Sequence, residues 1–328
     1  MAQVIGTKSF PTTADGYRNA LAWLRTCGPI VAVGVESTGS YGAALTRAFR
    51  AADVRVVEVN QPHPHLRARR GKRDAVDAEA AARKVLSGEA AGAAKDSTGI
   101  VECIRHLTVV RDGAIKPRTA ALSQLDALVV TAPADVRRAL SVRRSLEGKV
   151  SICARLRPDR TKLAAPSNAI KLALRSVATR IAQLASEAKG LAAELDALVA
   201  HAAPPTRRQL GLGTHNTATL LVAVGETIDR FRTEAAFAHV CAAAPIPASS
   251  GRTTRQRLNH GGNRAANRAL HMTVIVRLRY CPRTRAYMER RLAQGRTKME
   301  VIRCLKRYLV RDIFRTLRAD LTTLPTRP

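Results

Sequence analysis

Nine apolar positions, Ile170, Leu174, Val177, Ile181, Leu184, Ala188, Leu191, Leu195 and Leu198, recur in steps of four and three. A strand sends alternate residues to opposite faces, so no sheet buries that set together, whereas one helix does. The steps make a heptad seam, which predicts a long helix packed along one partner as a coiled coil, within the chain or with a second copy. Gly190 weakens this helix locally, and "AHAAPPTRRQ" ends it.

The chain before about residue 97 has a different rhythm. "TTADGYRNALAWLRTCG" reads as a capped helix with Tyr17, Leu21 and Leu24 on one face. "PIVAVGVE" and "VRVVEVN" are nearly continuous apolar runs, as expected of strands buried on both faces. "GAALTRAFRAA" lies between them as a second helix, and a third begins near Asp74. This alternation predicts a mostly parallel sheet covered by helices. Beyond it, "TGIVECIRHLTVVRDGAIKPRTAALSQLDALVV" reads as helix, and the chain from about Gln209 as helices broken by one polar loop, "APIPASSGRTTRQRLNHGGNR".

Charge narrows the class of partner. The 328 residues carry 55 Lys and Arg against 25 Asp and Glu, a net charge of +30. That excess favours a polyanion, and nucleic acid is the usual one. No apolar run has the length of a transmembrane helix, and the N-terminus lacks the pattern of a signal peptide. The six cysteines include no CxxC pair, which argues against zinc and a disulfide framework and fits a reducing cytosol. With aromatic residues at 3%, phosphate contacts should outweigh base stacking.

Within this basic chain, "RARRGKRDAVDAE" breaks from bases into acids. Asp74 and Asp77, one helical turn apart, point the same way and suit a hard divalent cation. Glu36 ends the strand "VAVGVE", and ligands of open α/β sheets sit beyond the carboxyl ends of strands. The same spacing also suits a helix start, with Asp74 as cap and Asp77 in the first turn. Downstream, Ser249 and Ser250 precede Gly251 amid Arg252, Arg255, Arg257, Arg264 and Arg268. A serine attacking a phosphodiester needs its proton removed and the phosphate's charge neutralised, and the arginines supply the second. A Ser-Gly turn that only grips nucleic-acid backbone is the plainer alternative. "LGLGTHNTATLLVAVGE" opens a helix after Gly211 and Gly213, where backbone amides suit a phosphate or small residues allow close packing. His63, His65 and His260 have no metal-ligand partner at helical spacing.

"VGVESTGSYG", "VEVNQP", "GKRDAVDAEAAA", "AAAPIPASSGRTTRQRLNHGGNRAANRALH" and "RCLKRYLVRDIF" occur in that order. Together they resemble the insertion sequence one-ten family of DEDD-type transposases of bacterial mobile elements. The resemblance implies an α/β plus α fold. Its parts are an RNase-H-like (Holliday-resolvase-like) domain over 1–125, a helical coiled-coil arm over 126–204, and a helical C-terminal transposase domain over 205–328. It implies that Glu36, Asp74 and Asp77 belong to an acidic tetrad binding Mg²⁺ or Mn²⁺. Ser250, rather than Ser249, takes the place of the nucleophile. Arg69, Arg70, Lys72, Arg73, Arg252, Arg255, Arg257, Arg264 and Arg268 are expected to bind nucleic acid. The implied partners are DNA, as element ends and target, an element-encoded guide RNA and a second copy of the chain, in the nucleoid-associated bacterial cytoplasm.

One departure stands out. The family's first aspartate lies on an opening strand, in a segment like "GVDxxK", whereas no aspartate here precedes Asp15. The expectation is therefore an N-terminal domain lacking its first strand, either because the start is placed too far downstream or because the copy is truncated. The alternative function is a catalytically impaired copy that only binds DNA or RNA.

Overall fold

A computed structural model of the chain describes residues 3–59, 73–90, 92, 94, 98–141, 145–252 and 256–324. It is mostly helical with two small sheets, and it divides into two compact units. The first joins Met1–Glu102 to Leu220–Pro328; the second is Cys103–Thr219.

The start of the first unit follows the alternation read from sequence. Helix α1 (Ala14–Thr26) begins where the Thr13 hydroxyl accepts the Gly16 amide hydrogen. Strand β1 (Val33–Glu36), helix α2 (Ala43–Arg50), strand β2 (Val56–Val59) and helix α3 (Asp74–Leu86) follow. The strands pair in parallel, Val33 opposite Val56 and Glu36 opposite Val59. Their period of two sorts the side chains between two covered faces. Val33, Val35 and Val56 pack with Phe49, Leu21 and Leu24 on the side of α1 and α2. Gly34 faces the other way, where an added Cβ would stand 2.9 Å from the Ala81 carbonyl oxygen of α3. Helix α3 thus lies on β1 where residue 34 has no side chain, with Val76, Ala80 and Ala81 buried. Full burial of each valine of this sheet stabilises by roughly 1.5–3 kcal/mol.

Next come α4 (Ile100–Thr131), α5 (Ala134–Ser141), α6 (Leu146–Ala154), α7 (Pro166–Ala202), α8 (Pro204–Arg207) and α9 (Gly213–Val224). The heptad seam lies on α7, which runs unbroken through Gly190, and Leu174, Val177, Ile181, Ala188 and Leu195 are buried. The first half of the seam does not lie along a single partner. Leu174, Val177 and Ile181 share one core with Leu125 of α4, Val136 and Leu140 of α5, and Cys153 of α6. A heptad fixes which face is buried, and three short or adjoining helices cover that face as well as one long one.

The chain then returns to the first unit with α10 (Glu234–Val240), the hairpin of β3 (Ile246–Pro247) and β4 (Gln256–Arg257), α11 (Arg264–Tyr280), α12 (Pro282–Ala293) and α13 (Lys298–Thr323). The polar loop expected between helices therefore contains a short antiparallel pair. Thr297 and Glu300 form a capping box that starts α13. The Phe237 ring centroid lies 5.7 Å from those of both Phe231 and Phe314, binding α10 to α13.

Two polar contacts tie the early and late parts of this unit. Arg230 pairs with Glu58 of β2 at 3.2 Å, both nearly buried. Glu226 accepts the amide hydrogens of Val101 at 2.8 Å and Glu102 at 3.1 Å, capping α4 from far along the chain. Gly99 leaves room for that carboxylate, which an added Cβ would approach to 2.6 Å. Among the described residues, no helix is long and apolar enough to cross a membrane.

Candidate functional site

The acids sit where β1 meets α3. Glu36 is two residues beyond Gly34 on the same strand, so its side chain leaves the face that α3 covers. Asp77 is one turn before Ala81 on α3, and Asp74 one turn before Asp77. Glu36 and Asp74 are exposed and Asp77 is half-buried. The three carboxylates thus lie on a strand and a helix that pack together, and they are the hard oxygen donors that a divalent cation takes. They are not drawn into a single ligand set, because no three His, Cys, Asp or Glu side chains among the described residues gather closely enough to hold a metal.

Asp74 is not the helix cap. That position belongs to Arg73, in an extended conformation and without a side-chain cap bond, and both aspartates lie in the first turn. Glu79 is paired with Arg83 at 2.9 Å, an exposed bond one turn apart on the helix surface. After Glu36 the chain reverses tightly. Ser37 is left-handed at φ 56, and Gly42 comes so near that a Cβ would stand 2.6 Å from the Glu36 carbonyl oxygen. Of the basic run before the acids, only Arg73 falls within the described residues and is exposed; Arg69, Arg70, Lys72, His63 and His65 lie outside them.

Ser249 and Ser250 are both exposed on the β3–β4 hairpin, directly before Gly251, whose φ of 55 is one that glycine adopts without strain. Arg252, Arg257, Arg264 and Arg268 are exposed, and Arg255 lies outside the described residues. Asparagines fix the base of this loop. The Asn259 amide donates to the His239 carbonyl at 2.9 Å, and Asn263 accepts from the Ala266 amide as the cap of α11. Asn267 donates to the carbonyls of Cys241 and Ala242 and accepts from Lys306 Nζ at 2.9 Å. Gly262 packs against Ala242, leaving no space for a Cβ.

The hairpin borders a groove of about 1280 Å³ walled by the 242–264 loop, the end of α12 and one face of α13. Arg257, Arg264, Arg291, Arg296, Arg303 and Lys306 line it. Arg303 and Lys306 lie in the segment "RCLKRYLVRDIF", which by itself suggests no binding role, and Arg291 lies in none of the motifs. The one available signal is the spacing of Arg303, Arg307 and Arg311, which puts all three on one face of α13. Arg307 and Arg311 are partly neutralised by Glu234, whose carboxyl Arg307 holds below its usual range. Burial, with Arg303 close by, pushes the Lys306 ammonium below its ordinary value.

The start of α9 already has an anion of the chain's own beside it. Gly211 and Gly213 sit beside a carboxylate that the chain supplies itself. Asp196 accepts from Arg207 Nη2 at 2.7 Å and from the Thr214 hydroxyl in the first turn, and these bonds hold its carboxyl below the usual range. Gly211 gives its carbonyl to the Asn216 amide.

Comparison with known proteins matches both ends of the chain. A family model described as a transposase, of the DEDD type of IS110, matches residues 2–132. A second, described as the transposase of the IS116/IS110/IS902 family, matches residues 208–289. The insertion element IS110 uncharacterized 43.6 kDa protein of Streptomyces coelicolor is 28% identical over 163 residues. That alignment covers 49% of this chain and 40% of the relative, so the chain spans less than half the length of the protein it is similar to.

Proposed function

This chain belongs to the IS116/IS110/IS902 family of transposases, and from that premise we propose that it cuts and rejoins DNA for a bacterial insertion sequence. The observation that carries the reading is the joint match. The acid-bearing segment and the serine-bearing segment each fit a transposase of the same family, in the order expected.

In the proposed mechanism Ser250 Oγ attacks a DNA phosphorus. The Oγ–P bond forms as the bond from phosphorus to the neighbouring deoxyribose oxygen breaks. The serine proton passes to a carboxylate of the acidic set, and the departing oxygen takes up a proton. A serine phosphodiester keeps the energy of the broken bond, so rejoining to another strand needs no external source. The family implies a divalent metal, and Glu36, Asp74 and Asp77 have the donor chemistry to hold Mg²⁺ or Mn²⁺. When bound, such an ion stabilises charge on the phosphate oxygens. Arg252, Arg257, Arg264 and Arg268, exposed and near the serine in sequence, would neutralise backbone phosphates.

The proposal includes the three-part division at residues 125 and 204, an element-encoded guide RNA, and association of copies through the face of α7 that Leu184, Leu191 and Leu198 leave half-buried. It is tested by plasmid recombination with the chain and its Ser250→Ala and Asp77→Asn variants. Each substitution should cut product at least about a hundredfold, the scale of losing a nucleophile or a charge-stabilising group, with DNA affinity unchanged. Undiminished recombination by Ser250→Ala would remove this serine from the mechanism.

A further inference from the structure

The groove beside the hairpin has two properties that phosphate neutralisation alone does not explain. Its basic surface is concave, and its lining is strongly apolar between the charges. Leu258, Met299 and Tyr308, exposed by 51%, 54% and 50%, all open into it. Tyr308 is braced: the ring of Tyr287 stands edge-on to it at 5.6 Å, and the Arg311 guanidinium lies 5.8 Å from its centre. Lys306, half-buried, has only the neutral Asn267 oxygen as partner among the described residues, with Arg303 crowding it. A partly desolvated cation without an acid is a cost that a bound anion removes.

We propose that this groove takes an unpaired nucleic-acid strand, with its phosphates on Arg303 and Lys306 and a base stacked on Tyr308. The proposal rests on the transposase reading only for the presence of nucleic acid. A duplex is read by convex elements that enter its grooves, and it keeps its base faces stacked inside. A concave surface that alternates cations with an exposed ring and two apolar side chains is complementary to a strand whose bases are splayed out. The volume, about 1280 Å³, exceeds that of a pocket for a drug-sized ligand, so it accommodates more than one nucleotide. The grip on phosphates and on a base's face is indifferent to which base is present.

The test is fluorescence anisotropy of the full chain with a short labelled DNA strand, an RNA strand of the same sequence, and a blunt DNA hairpin, across a salt series. Tyr308→Ala should weaken one or both single strands about tenfold, the scale of one stacked base, while Tyr308→Phe retains affinity. Arg303→Ala, at an exposed position, should lower the salt slope for the strand by about 0.7, one phosphate contact. Hairpin binding should change less than about twofold in each variant. Equal losses on strand and hairpin, or strand affinity indifferent to both variants, would overturn the proposal. In either case steep, salt-dependent hairpin binding leaves the transposase reading standing. Failure of the unaltered chain to bind any of the three probes removes that reading as well.

Discussion

Glu234 accepts from both terminal nitrogens of Arg307, at 2.7 and 2.8 Å, and this pairing depresses its carboxyl pKa. A depressed folded-state value stabilises above the ordinary carboxyl value of 4.5, and the gain is lost as pH falls through the folded value. Glu234→Gln should therefore lower stability by about 1 kcal/mol near neutrality. In thermal melts the difference from the unaltered chain should shrink to nothing in acid below that range. A difference that persists there would show that the side chain acts by shape rather than charge. Arg230 and Glu58 present a sharper case, because both are nearly buried. Arg230→Ala strands the Glu58 carboxylate and should cost about 3 kcal/mol, whereas Arg230→Ala with Glu58→Ala should recover part of that loss. Neither pair is legible in the sequence, since the partners stand 73 and 172 residues apart. What is legible is a local motif: an acid at a strand end, two acids one turn apart, a serine before a glycine.

Elements are legible where one periodicity governs them. The apolar runs ending at Glu36 and Val59 fold as adjacent parallel strands because both faces are covered by helices. The contact of α3 with β1 adds a requirement that no pattern announces, that residue 34 have no side chain. Gly34→Val should push α3 off the strand, costing about 1–3 kcal/mol and displacing Asp77 relative to Glu36. Melting and hydrogen exchange in α3 measure this, and an unchanged exchange pattern would contradict the packing. For α7 the heptad identifies the buried face but not what covers it, because the seam carries no information about the number of neighbours. Val177 and Ile181 are 7% and 3% exposed in a core shared by four helices. Val177→Asp and Ile181→Asp should each unfold Cys103–Thr219, since a charge buried there has no partner. Retention of full helical circular dichroism by both variants would contradict that core.

At the scale of the whole molecule, the chain order of acids and serine is readable, but their union in one compact unit is not. Met1–Glu102 and Leu220–Pro328 pack together although more than a hundred residues separate them in sequence. Such closure depends on long-range contacts like the Glu226 cap and the Arg230–Glu58 pair, which leave no local signature. Net charge acts at this scale too. With +30 to neutralise phosphates, affinity for duplex DNA should fall steeply with salt, by about 0.9 in logarithmic slope per phosphate contacted. Affinity independent of salt would contradict a phosphate-led interface. The most direct test of the central claim is to trap the cleaved state, by incubating the chain with nicked element-end DNA and a divalent metal and mapping any protein–DNA adduct by mass spectrometry. The account predicts a phosphodiester on the peptide containing Ser250, absent from the Ser250→Ala protein. An adduct on another residue, or recombination proceeding in the Ser250→Ala protein, would contradict it.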